Sequence, residues 1–319
     1  MVETALTIPL LFLIGYTAQR ASVCMVVAAR EIVEDRRANR LTGFLLAAAF
    51  SALAMAASMV VGRDPFSMIP GYPASFAAIA GGALFAVGAV INRHCAMGTL
   101  AALASGELHL VATLAGMIAA VGIATPIVHT AIAVMADPPA TPSMLAGLPV
   151  TTIAAGATIA AILLAALLRR NLQRAPTPQL WSPLMAMGVI GVASGLLFAL
   201  DQQWPYTSLI TRLAAGQTGD AVMQVGGFLI LAAGMVAGAW TARLVRIRRG
   251  TARQWVRAGT GGLLMGVGAS FVPGGNDAML MTGVPLLLPN LLVAYAAMVA
   301  TLLPIEWWRH RISGRPAPA

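Results

Sequence analysis

Apolar residues run along this chain in long uninterrupted blocks, and the polar positions that part them are short and mostly arginine. Neither alternation of period two nor a narrow amphipathic stripe dominates, so the pattern predicts helices hydrophobic all round, as in a membrane. Four arginine-rich breaks stand out, at 30–40, 169–174, 243–257 and from Arg309 onward. The intervening 64–73 and 137–149 are rich in proline and almost free of arginine. Placing every arginine cluster in the cytoplasm yields crossings at 4–18, 41–61, 74–92, 108–136, 148–168, 183–200, 221–243, 258–272 and 286–304. These nine put the N-terminus in the periplasm and the C-terminus in the cytoplasm.

Four apolar pieces, at 22–30, 96–105, 205–215 and 278–288, are half a bilayer long at 1.5 Å per residue and follow a polar or Gly/Pro break. They read as re-entrant half-helices, with amphipathic surface turns as the alternative. Irregular backbone at membrane depth persists where protein shields it or where it lines a polar cavity.

Composition sharpens this picture. The 319 residues are 59% hydrophobic and 10% charged, with a mean hydropathy of +0.82, too little charge to cover a soluble domain. The expected class is an all-α polytopic membrane protein, one integral membrane domain over 1–319 in the bacterial inner membrane. All 20 basic residues are arginine. The lack of lysine excludes a Walker A loop and Schiff-base chemistry. The net charge of +9 follows the juxtamembrane clusters, so it signals topology rather than nucleic-acid binding. The four histidines form no His-Glu-x-x-His motif, and His94 beside Cys95 lacks further ligands. No metal, cofactor or enzymatic activity is expected. Met1-Val2-Glu3 offers no basic start to a cleaved signal peptide.

The chain resembles itself. Gly81-Gly82-Ala83-Leu84-Phe85-Ala86-Val87-Gly88-Ala89 recurs 180 residues later as Gly261-Gly262-Leu263-Leu264-Met265-Gly266-Val267-Gly268-Ala269, and the register holds ungapped to Leu100 and Leu280. By the crossing count the two copies run in opposite directions. Two inverted halves, about 1–140 and 180–319, would meet near the midplane around discontinuous helices whose N-termini suit an anion. Glycines four apart (Gly191/Gly195, Gly234/Gly238, Gly262/Gly266) are expected to let helices pack closely.

Cys24 and Cys95 are the only cysteines, and each stands at a break before a half-length piece. A lone membrane cysteine is ordinarily a small buried hydrophobe. Two at equivalent breaks suggest soft, weakly donating partners for a sulfur-bearing anion. Arg20 and Arg93, each near one cysteine, either attract that anion or snorkel to the interface; Arg212 is a similar case. The stretch Phe271-Val272-Pro273-Gly274-Gly275-Asn276-Asp277 offers a backbone anion nest, with Asp277 opposing an anion unless it faces away or caps the next half-helix.

Around these residues the chain resembles the YeeE/YedE sulfur-transport family of bacterial inner-membrane proteins. The resemblance rests on Arg20 to Glu31, Gly81 to Glu107 with its Cys-x-x-Gly-Thr (Gly98, Thr99) and Gly106-Glu107, Trp204-Pro205-Tyr206-Thr207-Ser208, and Gly261 to Asp277. It implies thiosulfate uptake through an hourglass-shaped protein of nine spans, with cysteines relaying the ion along a central path. Cys24 and Cys95 match two such positions; Gly275 replaces the third, marking a divergent branch. The candidate substrate contacts are thus Cys24, Cys95, Gly98, Thr99, Gly274, Gly275 and Asn276. The alternatives are a permease for another small anion and a membrane thiol-redox or sulfur-transfer component. A cytoplasmic sulfurtransferase-like partner follows by family analogy alone.

Overall fold

The computed structural model describes residues 2–67, 72–134, 143–171, 181–200, 209–210, 221–272 and 274–312. These residues are helical almost throughout. In chain order the helices are α1 (Val2–Ala21), α2 (Met25–Glu34), α3 (Asn39–Met59), α4 (Phe76–Asn92), α5 (Ala96–Ala104), α6 (Val111–Val134), α7 (Val150–Asn171), α8 (Pro183–Leu200), α9 (Ala221–Thr241), α10 (Ala252–Phe271), α11 (Asn276–Ala278) and α12 (Pro289–Ile312). A 3-10 turn, Leu108–Leu110, leads into α6, and a π-helical turn, Met279–Gly283, continues α11.

Seven segments of the described residues are long and apolar enough to cross a membrane; α8 is as apolar but shorter. Large apolar side chains face outward, among them Ile159, Ile162, Leu163 and Leu167 of α7. Such a surface matches hydrocarbon and not water. The chain is a polytopic α-helical membrane protein.

Two ends differ from the sequence expectation. α10 begins at Ala252, not at 258, because the Thr251 hydroxyl accepts the Gln254 N–H and the Gln254 side chain returns the bond to the Thr251 N–H. This capping box carries helix through Arg253 and Arg257, which the charge pattern assigns to a loop. At the other end α12 continues past 304 to Ile312, through Pro304 and the arginine tail. There the buried Glu306 carboxylate meets Arg30 at 3.3 Å and Arg309 at 3.0 Å. The half-length piece expected at 22–30 is α2 and that at 96–105 is α5, each displaced by no more than a few residues. The piece at 278–288 starts earlier, at Asn276, and gives way to turns after Gly283. The piece at 205–215, with Trp204 to Ser208 and Arg212, lies outside the described residues except for Leu209 and Ile210, which are helical.

Glycine sets which helices touch. A Cβ on Gly81 would stand 2.9 Å from the Gly268 carbonyl oxygen, and one on Gly268 would stand 2.6 Å from that of Gly81. Gly88 and Gly261 stand in the same mutual relation, at 2.7 and 2.8 Å. α4 and α10 therefore lie antiparallel with backbones in contact. Gly82 presses on Ala294 of α12, while Gly262 presses on Thr113 of α6. α1 and α9 instead run parallel: Gly15 meets Leu231, and Gly238 meets Tyr16. α3 and α8 are parallel too, with Gly191 on Ala47 and Gly195 on Ser51. In lipid, where apolar surface gains little by leaving its solvent, this close backbone contact is a main source of helix association.

Candidate functional site

Two helix breaks of the same design build the site. α1 stops at Ala21, Ser22 takes the left-handed region (φ 54°), and two residues later Cys24, extended, stands at the N-cap of α2. α4 stops at Asn92, Arg93 takes φ 69°, and two residues later Cys95 stands at the N-cap of α5. Non-glycine residues with positive φ are uncommon and persist where the surrounding structure holds them. Here Asn92 holds the second break. Its Nδ2 donates to the His94 carbonyl (3.0 Å) and to the Thr99 hydroxyl (2.8 Å), while its Oδ1 accepts from Thr113 (2.8 Å).

The two breaks meet. The Cys24 sulfur accepts the Cys95 N–H at 3.5 Å, and the Cys95 sulfur accepts the Met25 N–H at 3.4 Å. Each thiol thus faces the N-terminal amides of the other's helix, where helices leave donors unpaired and partial positive charge gathers. Both cysteines are buried free thiols. Gly98, in the first turn of α5, is the reason they fit: a Cβ there would come within 2.7 Å of the Cys24 sulfur.

The third break has glycine where the others have cysteine. Gly274 adopts φ 105°, Gly275 is the N-cap of α11, and Asp277 occupies the first turn rather than the cap. α11 packs against α5. Asn276 is buried, and its Oδ1 has no hydrogen-bond partner among the described residues. Pro273 lies outside the described residues.

A cavity of about 370 Å³ opens beside the thiols. Its wall carries Cys24, Val27 and Gly98, the polar Gln19, His94, Ser105 and Glu107, and the basic Arg246 and Arg248. Glu107 sits 4.0 Å from His94 and 3.9 Å from His109. Among the described residues no group of three or more histidine, cysteine or acidic side chains is placed to hold a metal.

The structure brings Cys24, Cys95 and Gly98 together and sets α11 nearby. It turns Thr99 to another task, since its hydroxyl donates to the Cys95 carbonyl at 2.9 Å and accepts from Asn92, so Thr99 steadies the break. Arg20 and Arg93 do not line the cavity. Arg93 shares its surroundings with Arg30, Arg309 and Glu306. Gln19, Ser105, Arg246 and Arg248 escaped the sequence reading. The signal that would have exposed the arginines is their two-residue spacing between the apolar Val245 and Ile247.

Taken together, the outward apolar helices define an integral membrane protein, and paired thiols with a cavity beside Cys24 mark its candidate site. The chain belongs to the sulphur transport family, whose family model matches residues 20–303. No curated protein matches the chain.

Proposed function

We propose that this protein is an inner-membrane permease for a small sulfur-containing anion, thiosulfate first, passed between Cys24 and Cys95. The observation that carries the reading is the meeting of two helix N-termini through their thiols, next to a cavity with charged and polar side chains on its wall. Converging N–H groups and helix dipoles stabilise negative charge without a counter-ion, and the thiols add soft S–H contacts to sulfur. Membership of a sulphur transport family points the same way. Gly275, Gly274 and the buried Asn276 side chain form the third side of the path in this reading, where backbone and amide groups replace a thiol.

The architecture in this reading is nine spans, with α2, α5, α11 and the piece at 205–215 as four re-entrant pieces around an hourglass-shaped waist. The two halves, near 1–140 and 180–319, are inverted copies. Reciprocity supports this. Under the 180-residue offset, the Gly81–Gly268 contact maps onto Gly261–Gly88, and Gly15–Leu231 maps onto Gly195–Ser51; all four contacts occur. A two-fold axis in the membrane plane produces such pairing. The N-terminus then lies in the periplasm and the C-terminus in the cytoplasm, where a sulfurtransferase-like partner would receive the ion.

Labelled thiosulfate flux into proteoliposomes tests the function. Wild type should accumulate label, and the Cys24→Ala/Cys95→Ala chain should not; equal flux in both refutes the thiol path. In an uptake-deficient strain, Cys95→Ala at matched expression should abolish thiosulfate-dependent growth. The contact between the two free thiols also favours a second reading, thiol-redox or sulfur transfer. Under that reading Cys24 and Cys95 would exchange with thiol reagents while wild-type vesicles showed no flux.

A further inference from the structure

The segment 242–250 between α9 and α10 reads from sequence as a topogenic arginine cluster. In the structure it leaves α9 through a turn, with Arg243 at φ 54°, and then runs as an extended strap through 246–248. The Arg246 N–H donates to the Ser105 carbonyl (2.8 Å), the Arg248 N–H to that of Gly106 (2.8 Å), and the Leu108 N–H to that of Arg248 (3.0 Å). Glu107 and Arg248 pair as a parallel bridge. Gly106, at φ 99°, makes room, because a Cβ there would lie 2.6 Å from the Arg246 carbonyl oxygen. Extended backbone sends alternate side chains to opposite faces. Leu244, Arg246 and Arg248 accordingly line the cavity, the two arginines from exposed positions at its rim, while Val245 and Ile247 do not line it.

The arginines are not alone on the cavity wall. Gln19 is 5% exposed, donates through Nε2 to Ser105 at 2.8 Å, and leaves Oε1 buried with no partner among the described residues. A buried acceptor left unpaired is unfavourable, so this atom marks a place for a guest or its water. Glu107 opposes an anion, but it stands against His94 and His109, and the two arginines outnumber it.

We propose that the strap forms an anion-selective vestibule, in which Arg246 and Arg248 hold a small hydrated oxyanion or thio-oxyanion while Gln19 Oε1 accepts a hydrogen bond from its water. The vestibule feeds or drains the Cys24 end of the path, and its role in transport rests on the permease reading. Its electrostatics do not, and they are measurable without transport.

The probe is the rate at which Cys24, on the same cavity wall, reacts with two methanethiosulfonate reagents, one carrying a sulfonate and one a trimethylammonium. The full-length protein is used in detergent, and the modified cysteine is identified by peptide mass. At about 20 mM salt the sulfonate should react faster. The ratio should collapse near 0.5 M, where the Debye length falls to a few Å. Arg246→Gln/Arg248→Gln should lower the low-salt ratio about tenfold, whereas Arg246→Lys/Arg248→Lys should keep it. A wild-type ratio that favours the cation or ignores salt overturns the vestibule, even if the glutamine variant fails to fold. An unchanged ratio in a folded glutamine variant does so as well. Absent thiosulfate flux with an intact ratio would instead sink the permease reading and leave the vestibule standing.

Discussion

Gly98 leaves the Cys24 sulfur its place: a Cβ on Gly98 would lie 2.7 Å from that sulfur and 3.0 Å from the Cys24 Cβ. The glycine spans two helix breaks whose cysteines are 71 residues apart, so a methyl group on α5 acts directly on the tip of α2. Gly98→Ala should therefore move the thiol rather than unfold the protein. Thiosulfate flux is expected to fall about tenfold or more, with detergent-solubilised stability lowered but the protein still folded, because local overpacking costs about 1–3 kcal/mol. Full flux in Gly98→Ala would remove the Cys24 thiol from the path.

Asn92 positions the second break without lining the cavity. Removing its side chain leaves the Thr99 and Thr113 hydroxyls and the His94 carbonyl short of a partner, and each buried unpaired group costs about 1–3 kcal/mol. Asn92→Ala should lower the thermal midpoint and slow alkylation-sensitive flux. Asn92→Asp keeps the acceptor for Thr113 and loses both donated bonds, so it should recover little. Near-complete recovery by aspartate would mean that only the Thr113 bond matters.

Close backbone contact makes a graded stability prediction. Cβ atoms on Gly82 and Gly262 would meet backbone oxygens of Ala294 and Thr113 at 2.2 Å, whereas one on Gly122 meets nothing within 4 Å. Gly82→Ala and Gly262→Ala should each lower the melting temperature measured by fluorescence-detected gel filtration, and Gly122→Ala should leave it within a degree or two. Equal effects at all three positions would contradict packing as the reason for these glycines.

The Glu306 carboxylate, 4% exposed, ties Arg30 of α2 to Arg309 near the end of α12. Breaking a buried ion pair from one side costs about 3–5 kcal/mol because charge is left uncompensated. Glu306→Gln should reduce stability by much of that and loosen α2, raising the reactivity of Cys24 toward a neutral maleimide. A stable variant with unreactive Cys24 would show that α2 is held by its apolar face instead.

Orientation is open to direct test. Reporter fusions after Arg37 and after Arg249 should both report the cytoplasm, and one at Gly62 the periplasm. If α4 and α10 thread the bilayer in the same sense, the inverted-repeat reading fails.

Some of this molecule was legible in one dimension because its causes are local. A break of Gln19-Arg20 or Asn92-Arg93 interrupts apolar sequence wherever it falls, and an apolar piece of nine or ten residues is too short to span. Hence α2 and α5 were predicted close to where they lie. The paired glycines announced close packing by spacing alone. The start of α10 was also local but was read through its arginines; Thr251 and Gln254 outweigh them by satisfying helix-terminal amides. Arg246 and Arg248 were illegible for a different reason. Their charge marks a side of the membrane, while their direction depends on pairing with Ser105 and Gly106, more than a hundred residues away.

The sequence by itself determined that the chain lives in lipid, where its helices break, which residue types stand at the breaks, and that one glycine-rich stretch recurs 180 residues later. Hydropathy, helix length and glycine spacing are properties of neighbouring residues, and they need no fold to act. Tertiary structure decided that Cys24 and Cys95 exchange hydrogen bonds, that Thr99 turns away to brace Asn92, that Arg20 and Arg93 stay off the cavity wall, and that the arginine strap lies along it. Those outcomes depend on distances between segments far apart in the chain, set by which backbones come close enough to touch.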